Sequence, residues 1–267
     1  MLSNCVILDL ECLHAAEDCR HCPHLPSAHR AVAGELGMRC PESGVSGKPV
    51  SHYEPLGWDN KPALGLSVGC YWDYQDGRMH WFDTQTVATV IQEFVDRQPL
   101  LVSFNGTRFD FPLMRGLVRR HAEFLGLRDL PAGERPATLR EQAALVALCD
   151  AFKLQCAASY DILVEIWKLD PASRGSKGVN SLDALAQANG LGAKRSHGAQ
   201  APRDWAAGRY AAVLDYCQDD VYKTKALFEL VCQGIPLRRA RAASLLLPRP
   251  HGCGTDLETA GILLEVL

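Results

Sequence analysis

Apolar positions recur along this chain in two rhythms. The first is the short β-branched run. Cys5-Val6-Ile7-Leu8 opens a buried strand over residues 4–11, and Pro99-Leu100-Leu101-Val102-Ser103-Phe104 predicts another over Leu100–Phe104. Leu64–Tyr74 and Arg78–Phe82 read as two strands of a hairpin turning at Asp76-Gly77. The second rhythm is helical. Val87, Val90, Ile91, Phe94 and Val95 predict a helix over Thr86–Asp96. Similar spacing predicts helices over Phe109–Leu125 and Leu139–Leu148. A short strand is expected around 156–160, followed by a helix to Lys168. Ser181 is placed to cap a helix running to about Ala188, which Asn189-Gly190 ends. Arg209–Cys232 contains neither Pro nor Gly and predicts one long last helix. Leu127–Pro136 and Pro171–Gly178 read as loops, the second a flexible one. Strands alternating with helices predict an α/β domain.

One stretch has neither rhythm. Residues 12–62 are loop-like, with five prolines from Pro23 to Pro55, and they form an insertion after the first strand. Within residues 11–40 lie Cys12, Cys19, Cys22, Cys40, His14, His21, His24 and His29. Cys19-x-x-Cys22 has the half-site spacing of a zinc ligand pair, and His29 and Cys40 are candidates for the other half. A segment this poor in apolar periodicity builds no core of its own, so one structural Zn²⁺ is expected to order it. Cys12, Cys19, Cys22 and Cys40 as an all-thiolate zinc or iron–sulfur site, or a loop without metal, are the alternatives.

Composition narrows the class. With 267 residues, 47% of them hydrophobic, the chain has material for one α/β domain with decoration, expected over 1–235. Residues 236–267 read as a C-terminal tail or accessory segment. No stretch approaches the roughly 20 apolar residues of a membrane span, and no leader precedes the first strand. The expected setting is therefore the cytoplasm, a reducing compartment in which the eleven Cys are thiols or ligands. The net charge of −3 does not suit a protein that coats long nucleic acid.

The chemistry is carried by carboxylates. On the first strand Asp9 and Glu11 are two apart and so share a face. Asp110 follows the Asn105-Gly106 turn signal and falls at a helix start, with Pro112 in the first turn. Tyr216 and Asp220 are one turn apart on the last helix. Each has a plain structural explanation taken singly. Together, in the order D-x-E, N-G-x-x-F-D-x-P-x-L and Y-x-x-x-D, they resemble the DEDDy branch of the DnaQ-like 3′–5′ exonucleases, of the ribonuclease H-like superfamily. The chain looks most like predicted exonucleases related to the proofreading domain of B-family DNA polymerases. The likeness spans roughly residues 4–232. Ser159-Tyr160-Asp161-Ile162-Leu163, Ser181-Leu182-Asp183-Ala184-Leu185-Ala186 and Lys194 resemble further segments of that family. One departure is Cys12, where many relatives carry Thr or Ser after the D-x-E.

The resemblance implies a ribonuclease H-like fold: a mixed five-stranded sheet flanked by helices, with the Cys/His-rich loop inserted after the first strand. It implies that Asp9, Glu11, Asp110 and Asp220 hold two Mg²⁺ or Mn²⁺ ions, and that Tyr216 orients the attacking water. It further implies that Asn105, Phe109 and Asp161 bind substrate. The expected substrate is a nucleic-acid 3′ end, DNA rather than RNA, most readily single-stranded. An exoribonuclease, or a nucleic-acid-binding module that kept the fold, are the alternatives.

Overall fold

The computed structural model describes residues 2–13, 38–39, 54–55, 61–127, 135–174, 178–192 and 200–250. The candidate zinc ligands Cys19, Cys22, His29 and Cys40 lie outside the described side chains, as does Lys194.

The centre is a mixed five-stranded sheet. Strand β1 (Cys5–Cys12) pairs antiparallel with β2 (Leu66–Asp73), and β2 pairs antiparallel with β3 (Arg78–Phe82). On its other side β1 runs parallel to β4 (Leu100–Ser103), and β4 runs parallel to the two-residue β5 (Tyr160–Asp161). The spatial order is β3-β2-β1-β4-β5. The β2–β3 hairpin turns at Gly77, whose φ of 67° is open to glycine at no steric cost. Parallel strands need crossovers. Helices α1 (Val87–Arg97), α2 (Asp110–Leu127) and α3 (Arg135–Ala157) supply them. After β5 come α4 (Ile162–Leu169), α5 (Leu182–Ala188), α6 (Ala201–Ala206) and α7 (Tyr210–Gln233).

Strand alternation divides the core into two. Val6, Leu8 and Leu10 face α1, α2 and α3, in a cluster with Phe94, Met114 and Phe152. Cys5 and Ile7 face the other way, against Ile166 of α4, Leu185 of α5 and Val213, Cys217 and Val221 of α7. Both faces of β1 are therefore covered, which is why its first four residues read as a continuous apolar run. Burying each such side chain stabilises the fold by about 1.5–3 kcal/mol.

Of the differences from the sequence expectation, three lie between Arg135 and Ala206. Helix α3 runs from Arg135 to Ala157, beyond both ends of the expected Leu139–Leu148. Its start carries Pro136, which the first turn tolerates. Its C-terminal half has no helix breaker and buries Phe152 and Gln155, and the strand expected around 156–160 shrinks to Tyr160–Asp161. Second, Pro171–Ser173 forms a single 3₁₀ turn with Ser173 buried, where a loop was expected. Third, α6 was not expected at all.

The tail beyond Pro236 is packed as far as it is described. Leu237–Arg239 (β6) and Ala242–Leu245 (β7) form a hairpin, and Leu237 and Leu247 join the α7-side core. The buried Arg239 pairs with Asp170 at 2.7 Å, and the Tyr160 hydroxyl donates to the Pro248 carbonyl at 2.8 Å. Among the described residues no helix is long and apolar enough to cross a membrane.

Candidate active site

Asp9 and Glu11 sit where β1 outruns its partner. The parallel pairing with β4 covers only Cys5–Ile7. Beyond it the strand stays paired with β2, with Asp9 opposite Cys70 and Glu11 opposite Val68, and a bulge follows Glu11. Alternation puts both carboxylates on the Ile7 face, toward α7. The helix meets them there: the Cys217 thiol donates to the Asp9 carbonyl at 3.4 Å. Tyr216 precedes that contact by one residue and Asp220 follows it by three. Asp9, Glu11 and Asp220 each offer one carboxylate oxygen, and these oxygens lie within 4.8 Å of one another. Glu11 and Asp220 are buried and Asp9 is half-buried.

Asp110 approaches from the opposite side of the same strand end. Its carboxylate accepts from the backbone N–H of Leu10, between Asp9 and Glu11, and from its own N–H at the start of α2. Burial holds its pKa well above the ordinary carboxylate range. The nearby charges of Asp161 and Asp220 raise it further, against those two N–H donors. It is the fourth carboxylate of the site, outside the group of three mutually closest oxygens.

Tyr216 is hydrogen-bonded to Asp220 one turn away. Burial pushes the phenol's pKa far up, and the charges of Asp220, Glu11 and Asp9 push it further, so the hydroxyl keeps its proton. Cys12 is likewise raised by burial and by Glu11, Asp110 and Asp9, so it is a thiol with no nucleophilic bias.

The loop between β4 and α2 is built around Asp161. One carboxylate oxygen accepts from the Asn105 N–H at 2.9 Å and from Leu163 and Val164 at the start of α4. The other accepts from the Thr107 N–H at 3.0 Å and the Thr107 hydroxyl at 2.6 Å. Asp161 thus caps α4 and fixes the turn that delivers Asp110. Its contacts are to the protein's own loop, although the resemblance implied a place at the substrate. Asn105 takes a left-handed φ of 69°, as the Asn-Gly signal suggested. Phe109 is half-buried and packs against Leu64, as does Cys12, the residue after Glu11.

Gly106 is where this loop passes closest to its surroundings. A Cβ there would lie 2.4 Å from Ser103 Oγ, 2.5 Å from Ser103 Cβ and 2.9 Å from Asp110 Oδ2. The position was read only as a turn signal in the sequence. Its tight contact with the Asp110 carboxylate depends on a packing no local pattern encodes.

No protein-family model, curated protein or solved structure matches this chain. The chemistry must therefore be read from the side chains alone. An all-oxygen carboxylate set suits hard divalent cations such as Mg²⁺, Mn²⁺ or Ca²⁺. Carboxylate oxygens this close repel one another unless a proton or cation lies among them, so the donor set fits a metal centre.

Proposed function

We propose that the protein is a metal-dependent 3′–5′ exonuclease of the DEDDy type, with a ribonuclease H-like fold. The observation that carries this reading is the convergence of residues more than 200 positions apart. Asp9 and Glu11 from β1, Asp110 from the start of α2, and Tyr216 and Asp220 from α7 meet at one strand end. The strand order supports the fold assignment, with an antiparallel β3-β2-β1 half continued by parallel β4 and β5.

Asp9, Glu11 and Asp220 would hold the divalent ions, with Asp110 as the fourth carboxylate. Such ions, when bound, acidify water and neutralise charge that develops on a phosphodiester. The chain's own residues do the rest. Tyr216, kept protonated, holds a hydrogen bond at Asp220 and is placed to orient a water there. Asp110 is fixed by the Leu10 N–H, so it is positioned before substrate arrives. Phe109 and Asn105 flank the carboxylates as the surface on which a terminal nucleotide would rest.

The test is an assay with 5′-labelled oligonucleotides in Mg²⁺ or Mn²⁺, comparing single-stranded DNA, duplex DNA and RNA. A ladder shortening from the 3′ end is expected, fastest on single-stranded DNA. Asp9→Ala and Asp220→Ala should abolish it while keeping the far-UV circular dichroism of the parent. Full activity in either variant, or no cleavage of any substrate, overturns the reading; faster cleavage of RNA replaces DNA by RNA as the substrate.

A further inference from the structure

A second feature adjoins the carboxylates without belonging to them. Between α2, α3 and α4 lies a cleft of about 370 Å³, within the range of roughly 300–1,000 Å³ usual for ligand sites. Thr107 and Asp161, the pair that positions the Asp110 loop, form one wall. Arg115 from α2, Lys153 from α3, and Glu165 and Lys168 from α4 are the charged residues of the remainder, among apolar side chains such as Phe111 and Phe152.

The charges of the cleft are unequal in their commitments. Glu165 is tied to Lys168 at 2.5 Å, and Asp161 is saturated by the loop donors. Among the described residues Arg115 and Lys153 have no ion-pair partner. Arg115 is half-buried and Lys153 is exposed, so two cations from different helices line the cleft outside any ion pair, and with Lys168 its cations outnumber its two carboxylates, Asp161 and Glu165. Next to it, the Arg108 guanidinium lies 5.4 Å from the centre of the Trp167 ring. Arg108 follows Thr107 and Trp167 precedes Lys168 in the chain, so this cation–π pair adjoins the cleft without lining it.

Unpaired cations beside an aromatic–guanidinium surface are the elements of single-strand recognition: cations track phosphates and flat groups stack on bases. Building on the exonuclease reading, we infer that this cleft holds the single strand upstream of its 3′ end, with Arg115 and Lys153 on backbone phosphates and a base against Arg108–Trp167. The overall charge of −3 makes the local excess of cations informative, since it is not a share of a general surplus. The cleft would set how tightly the strand is held, not how fast its terminal bond breaks.

The experiment uses the full chain, its Arg115→Ala/Lys153→Ala variant, and Lys153→Glu alone at the exposed position in case the double variant folds poorly. Fluorescence anisotropy with a labelled twelve-residue oligothymidylate in Ca²⁺ reads binding; turnover of that oligonucleotide and of the p-nitrophenyl ester of thymidine 5′-monophosphate in Mn²⁺ reads chemistry. Losing two phosphate contacts should flatten the slope of log Kd against log salt by about 1.4. The double variant should bind about tenfold more weakly at moderate salt. Its kcat, and its turnover of the small ester, should equal the parent's. Unchanged affinity and salt slope in both variants overturn the cleft assignment, as does a parent that does not bind the oligonucleotide. If the parent binds but cleaves neither substrate, the exonuclease reading fails while the binding arm still decides the cleft.

Discussion

Replacing Gly106 by Ala is the sharpest perturbation of the site that leaves every carboxylate in the chain. Gly106 does not have a positive φ, so Ala suits its backbone and sterics alone decide the outcome. The new methyl would sit 2.4 and 2.5 Å from the Oγ and Cβ of Ser103 and 2.9 Å from Asp110 Oδ2. Ordinary contact begins near 3.4 Å, so Ser103 or the loop must give by about an ångström. Ser103 is fully buried on β4 and cannot swing away. Overpacking of this kind costs about 1–3 kcal/mol, which for a chain of this size lowers Tm by about 2–12 °C. The loop will move more readily than the strand, and Asp110 rides on it. A displacement of about 1 Å at a reacting centre costs about 10²-fold in rate. Calorimetry or a thermal melt reads the first effect, and oligonucleotide turnover reads the second. Ser103→Gly in the same chain removes the two shortest contacts. Ser103 Oγ makes no hydrogen bond among the described residues, so only the strand's conformational entropy is lost, about 0.5–1 kcal/mol. The double variant should regain stability without regaining full activity, because the Asp110 contact persists. A Gly106→Ala protein with parental Tm and parental turnover would refute the steric argument and the placement of Asp110 together.

Other expectations follow from the same geometry. Mn²⁺ at a hundred times its Kd should stabilise the parent by about 2.7 kcal/mol, raising Tm by roughly 5–10 °C; Asp9→Asn and Asp220→Asn should each lose most of that shift, and an equal shift in the variants would place the ion elsewhere. Asp161→Asn turns an amide NH₂ toward N–H donors at a buried position, and chemical denaturation should find it destabilised by about 2–3 kcal/mol. Tyr216→Phe should lower kcat about 10–100-fold with KM and Tm near parental values, since it removes one hydroxyl from a protonated phenol; a parental kcat would take Tyr216 out of the chemistry. Burial pushes the Cys156 thiol up to about 12, so iodoacetamide at pH 7 should leave it unmodified in the native protein, and mass spectrometry reads the result.

What could be read in advance was what is local. The spacing of Asp9 and Glu11 put them on one face because strands alternate, and the spacing of Tyr216 and Asp220 put them on one helix stripe. The Asn105-Gly106 signal marked the turn before Asp110. What could not be read was which groups complete one another across the sheet. The Leu10 N–H is available to Asp110 only because β4 stops pairing at Ile7, a register no local pattern contains. Asp161 looked like one more acid on a motif list, yet five donors from two segments consume it. Helix α3 was read short because Leu139, Val146 and Leu154 are exposed and blur the apolar stripe that defines its inner face. Helix α6, six residues long, is too brief to show a period.

The position of the site on β1 explains how a cluster of repelling acids coexists with a stable fold. Crowding Asp9, Glu11, Asp110 and Asp220 works against folding when no cation is present, and the Asp220 charge adds to the rise that burial and Asp161 give the Asp110 pKa. The strand that carries the first pair does not depend on them. Cys5, Val6, Ile7 and Leu8 are all within 3% of full burial, gripped by separate clusters on the two sides of the sheet. The carboxylates begin at the residue where that double coverage ends. Opposite them, Asp220 sits between Cys217 and Val221, both fully buried, so the packing of α7 sets its place without help from its charge. The Asp110 loop is held by its own Asn105 and Thr107 groups donating to Asp161, which is not one of the four site carboxylates. Each acid is thus delivered by a neighbour that is stable on its own account. Removing an acid should relieve repulsion and leave the delivering element intact, so the charge of this site can be stripped residue by residue with little loss of fold. A cluster whose role was structural would behave in the opposite way, losing stability with each carboxylate removed.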